Sequence, residues 1–362
     1  GCFKHFKREN MKEFLYHFIQ EEPKNFLAQI LLAVLWVLSA GYFIFSRLIF
    51  LGYQLKILRT KSLPRPVISI GNLTFGGTGK TPLTVFVADY LKKKGCEPVV
   101  LIRGYMASKG SSDEVALYKE ILPQVPVAQG KNRFEAGLKA LAQHPKTNVF
   151  VLDDGFQHWP LNRNLDIVVI DATDPFGNGF LIPRGGLREP ISALKRADII
   201  IIAKVDLGKE NLPRVYEAAR KNNFHAIFGE AIYAPVKLID LIDLGADKDI
   251  SYLLNRGVAL CSAIGNPKAF QKSVEALGAC VQKTFSFLDH HIYTRGDVEG
   301  MIHHGRIHNI KTFVVTQKDA VKLKSFADLF PQGFDLLALA VELKITQGEE
   351  EIGQRINSAL RR

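Results

Sequence analysis

The stretch 67–91 constrains the fold more than any other part of the chain. Val67-Ile68-Ser69-Ile70 is a short apolar run after Pro64 and Pro66 and reads as a buried strand. It feeds Gly71-Asn72-Leu73-Thr74-Phe75-Gly76-Gly77-Thr78-Gly79-Lys80-Thr81-Pro82, and a helical pattern follows at Leu83, Phe86, Val87, Tyr90 and Leu91. Pro82 suits a first helical turn, where its missing N–H is not needed. Strand, glycine-rich loop, Lys-Thr and helix together form the context of a phosphate-binding loop. Thr74 stands where the first glycine of G-x-x-x-x-G-K usually is and is counted among the nucleotide-binding residues of the loop. Gly76, Gly77, Thr78 and Gly79 would turn backbone N–H groups around phosphate oxygens, and the helix N-terminus would add a partial positive charge. Lys80 would bridge β- and γ-phosphate oxygens, and the Thr81 hydroxyl would hold Mg²⁺.

A second strand, 148–152, ends in Asp153-Asp154-Gly155-Phe156-Gln157-His158. Carboxylates at the C-terminal end of a strand beside a P-loop strand hold Mg²⁺ directly or through water. Two adjacent Asp side chains repel each other unless a cation is present. Further apolar strands at 98–102, 165–170 and 198–203 alternate with helical stretches, which predicts an α/β fold with a P-loop NTPase-like, mainly parallel sheet and flanking helices. The last of these strands runs into Ala203-Lys204-Val205-Asp206, which is similar to the N-K-x-D guanine-reading element of GTPases with Ala in place of Asn. A GTPase, or another membrane-associated NTPase acting as a switch, is therefore the alternative to a kinase.

Hydrophobic residues make up 47% of the 362-residue chain, so a sizeable core is possible. The formal charge of +11 and pI near 9.4 fit nucleic acid, an anionic membrane or an anionic substrate. The basic residues are scattered, with no long run and no interleaved aromatic platform, which argues against nucleic acid. Cys2, Cys96, Cys261 and Cys280 are far apart, with no C-x-x-C pair, which argues against a zinc site or disulfide framework. No obligate protein partner is evident. Met11 is the first methionine, and residues 1–10 are left out of the fold reading.

Residues 26–46 carry no charge. As a helix they would span roughly 31 Å, about the thickness of a hydrocarbon core. The segment could span a membrane, lie in its interface or be a core helix. The amphipathic stretch after it, with Leu48, Ile49, Phe50, Leu51 and Tyr53 among Arg47, Lys56 and Arg59, favours a membrane surface.

From about residue 226 the character changes. Residues 226–244 are apolar and strand-like, 257–263, 313–316 and 336–343 read as strands, and 349–360 reads as a closing helix with Ile352, Ile356 and Leu360 on one face. The chain thus divides into an N-terminal extension with a membrane-associated helix (1–62), a P-loop kinase core (63–225) and a smaller C-terminal α/β domain (226–362) that closes a cleft.

These motifs occur in one order in a known family. The P-loop at 67–82 with its missing first glycine, Arg103-Gly104-Tyr105, Asp113-Glu114, the stretch 127–133, Asp153-Asp154-Gly155-Phe156-Gln157-His158, the stretch 183–190, Asp289-His290 and the stretch 316–322 resemble the tetraacyldisaccharide 4′-kinase family. The resemblance implies transfer of the γ-phosphoryl of ATP to the 4′-hydroxyl of a tetraacyl glucosamine disaccharide 1-phosphate, giving lipid IVA in lipid A biosynthesis. It also implies Mg²⁺ and a site on the cytoplasmic face of a bacterial inner membrane. By position it implies that Lys80 and Thr81 serve nucleotide and metal, that Asp113 is the base for the sugar hydroxyl supported by His290, and that Asp153 and Asp154 serve Mg²⁺. Arg133 and Arg188 would meet phosphate charge, Glu189 would stand behind the metal, and Tyr105 and Glu114 would contact lipid. Departures are Ser111-Ser112 before and Val115 after Asp113-Glu114, where the family reads Gly-Asp-Glu-Pro, Gln317 where Glu is usual, and Gly186 in place of Pro. Asp289-His290-His291 has no second ligand cluster that would make it a metal site.

Overall fold

The structure is a computed structural model that describes residues 26–104, 113–289 and 291–361. Helix α1 (Phe26–Gln54) leads to strand β1 (Val67–Gly71), helix α2 (Lys80–Lys93), strand β2 (Pro98–Ile102) and helix α3 (Asp113–Ile121). Strand β3 (Val127–Gln129), helix α4 (Arg133–Gln143), strands β4 (Val149–Asp153), β5 (Leu165–Asp171) and β6 (Ile199–Ala203), and helix α5 (Leu212–Asn222) follow. The chain continues through β7 (Ile227–Asp240), β8 (Gly257–Ser262), α6 (Pro267–Glu275), β9 (Cys280–Ser286) and α7 (Arg295–Ile307). It closes with β10 (Thr312–Thr316), α8 (Gln317–Leu323), β11 (Asp335–Gln347) and α9 (Glu349–Leu360).

These strands form one eleven-stranded sheet in the order β3-β2-β4-β1-β5-β6-β7-β11-β10-β8-β9. Neighbours pair in parallel, with one exception. A parallel sheet covered on both faces reads as continuous apolar sequence, and β1, β2, β5 and β6 are buried at every position. The exception is β7 with β11, an antiparallel ribbon running from Leu337↔Asp240 to Gln347↔Glu230. The first residues of β7 pair with β6 and the first residues of β11 pair with β10. The ribbon therefore splices a P-loop half onto a C-terminal half.

Helix α9 then returns to the P-loop half. Ile352, Ile356 and Ala359 share a core cluster with Ile68, Leu83, Val87 and Leu91. Gly229 permits this contact, since a Cβ there would lie 2.5 Å from the Ile352 side chain. The C-terminal half has apolar clusters of its own, built on Phe313, Met301 and Val298 and on Leu260, Val314 and Leu337.

Helix α1 lies outside these cores. Among its described residues Ala28, Ser39 and Phe50 are buried, recurring about every three turns and so forming one narrow stripe. Ser39 donates to Leu181 O at 2.7 Å, Tyr42 to Arg188 O at 2.9 Å, and Phe50 packs on Trp159 with ring centroids 5.5 Å apart. Much of the remaining apolar surface is exposed, including Phe26 at 76% and Val37 at 62%. The core-helix alternative is thus set aside. Among the described residues, Ala28–Gln54 is the helix long and apolar enough to cross a membrane. An exposed apolar face of this extent calls for a lipid or protein cover. The full chain is expected to sediment with phospholipid vesicles, and a truncated chain beginning at Leu63 to stay mainly in the supernatant while folding normally by circular dichroism. Equal sedimentation of both in high salt would remove the helix as the anchor.

Candidate active site

The P-loop grows out of β1 and is held from within by Asn72. The Asn72 amide donates to Thr74 O at 2.7 Å and to the Thr78 hydroxyl, while its carbonyl accepts from Lys80 Nζ at 3.3 Å. Gly79 takes a left-handed φ of 91° at the N-terminus of α2, which a glycine adopts without strain. Thr74 is buried and bridges antiparallel to Leu187 instead of lining the cleft. Phe75 N donates to Gly186 O and Arg188 N to Leu73 O, both at 2.7 Å. The outer limb of the loop is thus paired with the segment 186–188, and this pairing delivers Arg188 to the phosphate seat.

Strand β4 lies beside β1, with Asp153 opposite Ile70. Asp153 accepts from Tyr118 Oη at 2.8 Å and Thr84 Oγ1 at 3.3 Å. Burial raises its pKa, and the neighbouring Asp154 charge adds to the rise. Asp154, at φ 53°, turns into the cleft. Arg188 Nη1 reaches both of its oxygens at 2.8 and 2.9 Å, and Lys80 Nζ lies 3.4 Å away. Burial pushes Asp154 upward, but Lys80 and Arg188 outweigh it and hold the carboxyl below its usual range. Burial lowers the Lys80 ammonium, and Asp154 offsets part of that. Lysine, two carboxylates and arginine therefore meet at the mouth of the loop, where a phosphate chain and a hard cation would exchange partners with them.

The cleft has a volume of about 960 Å³ and both halves line it. Gly76, Gly77, Thr78, Gly79, Lys80, Thr81, Asp153, Asp154, Arg188, Asp113 and Glu114 all border it. Asp113 is not on a loop but opens α3, with Lys322 Nζ of α8 3.8 Å from its Oδ2. Burial raises the pKa of Glu114, and the Asp153 charge adds to it. Three expected residues stand elsewhere. Arg133 is buried, with its Nε unpartnered among the described residues, and Arg103 borders the cleft instead. The Glu189 carboxylate is bound by both Nη atoms of Arg196 at 2.7 and 2.8 Å and by Gln157 at 3.1 Å. Among the described residues Gln157 links it to the P-loop, donating to Asn72 O at 2.9 Å. Thr74 is the third, pinned to Leu187. His290 and Tyr105 lie outside the described residues.

Sequence reasoning passed over several cleft residues. Lys318 and Lys322, one turn apart on α8, face Asp289 and Asp113, with Lys318 2.7 Å from Asp289. Lys204 Nζ is 2.5 Å from Asp171 and 3.5 Å from Gly77 O. Asn266 donates to Asp171 at 3.2 Å and to Thr173 at 2.8 Å. Gly265 sits so close that a Cβ there would meet Gly77 N at 2.2 Å. The Gly265-Asn266-Pro267 turn after a strand was the available signal. Asp206, which would read guanine in an N-K-x-D element, is exposed and does not border the cleft.

His158, from the same turn as the paired Asp residues, is pushed down to about 4 by burial and then by Arg133, Arg163 and Arg103. Between its unfolded value near 6.5 and about 4 the unfolded chain alone takes up the proton, so stability must fall as pH falls through that window. Thermal melts of the full chain should show His158→Gln losing less stability than the parent between pH 7 and pH 4.5. Parallel loss in both would assign the acid limb to other groups.

The model for the family described as Tetraacyldisaccharide-1-P 4′-kinase (LpxK) matches residues 31–361. The chain is 33% identical to the tetraacyldisaccharide 4′-kinase of Halothermothrix orenii, over 97% of this chain and 98% of that protein. It is 32% identical to a probable mitochondrial tetraacyldisaccharide 4′-kinase of Arabidopsis thaliana, over 81% of each. The crystal structure of LpxK from Aquifex aeolicus in complex with ATP superposes with a TM-score of 0.70 at 27% identity, covering 91% of this chain and 99% of that one. The match spans both halves of the sheet, and the chain belongs to the tetraacyldisaccharide-1-P 4′-kinase family.

Proposed function

We propose that this chain transfers the γ-phosphoryl group of ATP to the 4′-hydroxyl of a tetraacyl glucosamine disaccharide 1-phosphate, forming lipid IVA. The observation that carries the reading is the charge cluster at the mouth of the P-loop, where Lys80 and Arg188 converge on Asp154 in a cleft walled by both halves. Family membership supplies the acceptor class. The exposed apolar α1, docked beside the segment that carries Arg188, supports reaction at a membrane surface. In this reading the cleft lies on the cytoplasmic side, where ATP is available.

In this reading the P-loop amides and Lys80 hold the phosphate chain, and Arg188 swings part of its charge from Asp154 to the transferring phosphoryl. Thr81, Asp153 and Asp154 are the oxygen donors suited to Mg²⁺, which takes one or two carboxylates plus phosphate oxygens in place of an all-protein cage. The raised pKa of Asp153 beside Asp154 is the strain a cation relieves. Bound Mg²⁺ would neutralise charge on the β- and γ-phosphate oxygens. Asp113 accepts the proton of the 4′-hydroxyl as that oxygen bonds to the γ-phosphorus and the bond to the bridging oxygen of ADP breaks. In this reading His290 orients Asp113 and shares its proton. We take 63–225 with the closing helix as one body and the rest of 226–348 as the other, joined by the ribbon.

Radiolabelled ATP offered with a panel of acceptors should label the tetraacyl disaccharide 1-phosphate, and Lys80→Ala should cut that labelling at least about a hundredfold in a folded protein. Labelling of water alone, as free phosphate, would favour the NTPase alternative. Asp113→Ala and His290→Ala should each lower kcat far more than they weaken ATP binding, and the double variant should be little worse than the poorer single one. Multiplicative losses would separate the two residues into independent roles.

A further inference from the structure

Tyr233 stands where the ribbon meets the P-loop. It lies on β7 opposite Leu343 of β11, and its side chain crosses to the first turn of α2. A Cβ at Gly79 would come within 1.3 Å of the Tyr233 hydroxyl oxygen. The ring borders the cleft and is half-buried. The hydroxyl oxygen is fully buried and has no hydrogen-bond partner among the described residues. Buried hydroxyls are seldom left unmet in native proteins, because the desolvation cost goes unrepaid. Nearby charges offer this hydroxyl no acceptor. Lys204 lies 5.7 Å from the ring centroid, and its ammonium is engaged by Asp171. Burial, and then the charge of Asp171, raise the phenol well above its usual value, so it remains a neutral donor. What the hydroxyl does face is the turn at which the amides of a glycine-rich loop and a helix N-terminus gather an anion.

We propose that Tyr233 is a nucleotide-contacting residue, its hydroxyl donating to a phosphate oxygen seated over the Gly79–Lys80 turn. This rests on the reading of the P-loop as the nucleotide site. The contact has a consequence for the whole molecule, because Tyr233 belongs to the ribbon that joins the two halves. A loaded P-loop would tie the ribbon to the nucleotide by this bond, so nucleotide binding adds a restraint on the ribbon before the lipid arrives.

The test is Tyr233→Phe in the full chain in detergent, titrated with ATP and with ADP by calorimetry and assayed for KM and kcat. The affinity for both nucleotides should fall about tenfold, equivalent to about 1.4 kcal/mol, with the KM for lipid unchanged. The melting temperature without nucleotide should be unchanged or higher, since an unmet buried hydroxyl is removed, and the rise that ATP produces should shrink. A purely structural tyrosine gives the opposite pattern, a lower melting temperature without nucleotide and an ATP-induced rise equal to the parent's, and that pattern overturns the proposal. ATP and ADP affinities within twofold of the parent overturn it as well. The underlying reading fails separately, if the parent binds no ATP or if Lys80→Ala binds it as tightly as the parent.

Discussion

The antiparallel pairing of β7 with β11 is the constraint on which the rest depends. Parallel strands need crossovers and extend a sheet unit by unit, but this one antiparallel ribbon lets the chain leave the P-loop half, build a second set of parallel strands and return. The return places α9 in the P-loop core beside Leu83 and Val87. The same ribbon sets α6 and α8 opposite α2 and α3, so the cleft is a product of the sheet's course and not of a loop insertion. The backbone contact of Gly265 with Gly77 and the Asn266 bridge to Asp171 pin the two halves where the phosphate loop turns.

Within the cleft, charge is organised by partial desolvation. Asp154 keeps a depressed pKa because two cations approach it, while Asp153, one residue earlier and more deeply buried, is pushed up. Neighbouring carboxylates thus receive different environments from a single left-handed backbone step at Asp154. Glu189 and Arg196 form a separate buried pair behind the loop, and Gln157 links that pair to Asn72. Pairing of this kind serves geometry more than net stability. It holds the segment that carries Arg188 against the outer limb of the P-loop, and α1 rests on the same segment through Tyr42.

Much of this was legible beforehand. The apolar runs at β1, β2, β4, β5 and β6 are strong signals because strands buried on both faces have no polar alternation to confuse them. The glycine-rich loop and the paired Asp residues announced themselves by residue type and by their place at strand ends. Short or exposed elements were harder. Strand β9 is an edge strand with mostly exposed or half-buried residues, and α3 is a short helix whose first turn is acidic, so neither carries a marked periodicity. Arg133 and Glu189 were assigned by position in a motif, and position says nothing of which way a side chain turns. Glu189 turns to Arg196, and Arg133 is buried with its Nε unpartnered among the described residues.

The sequence by itself determined the chemistry, a phosphate loop with Lys80 and Thr81, acidic strand ends and a long apolar helix, since each is a local pattern whose physical meaning needs only a few neighbouring residues. Only the tertiary structure decided the partners. That Asp113 faces Lys322, that Lys204 turns to Asp171 beneath Gly77 and that Tyr233 reaches Gly79 depend on contacts between segments far apart in the chain. Such contacts follow from the register of a sheet and the angle of a ribbon, and no local pattern of residues encodes them.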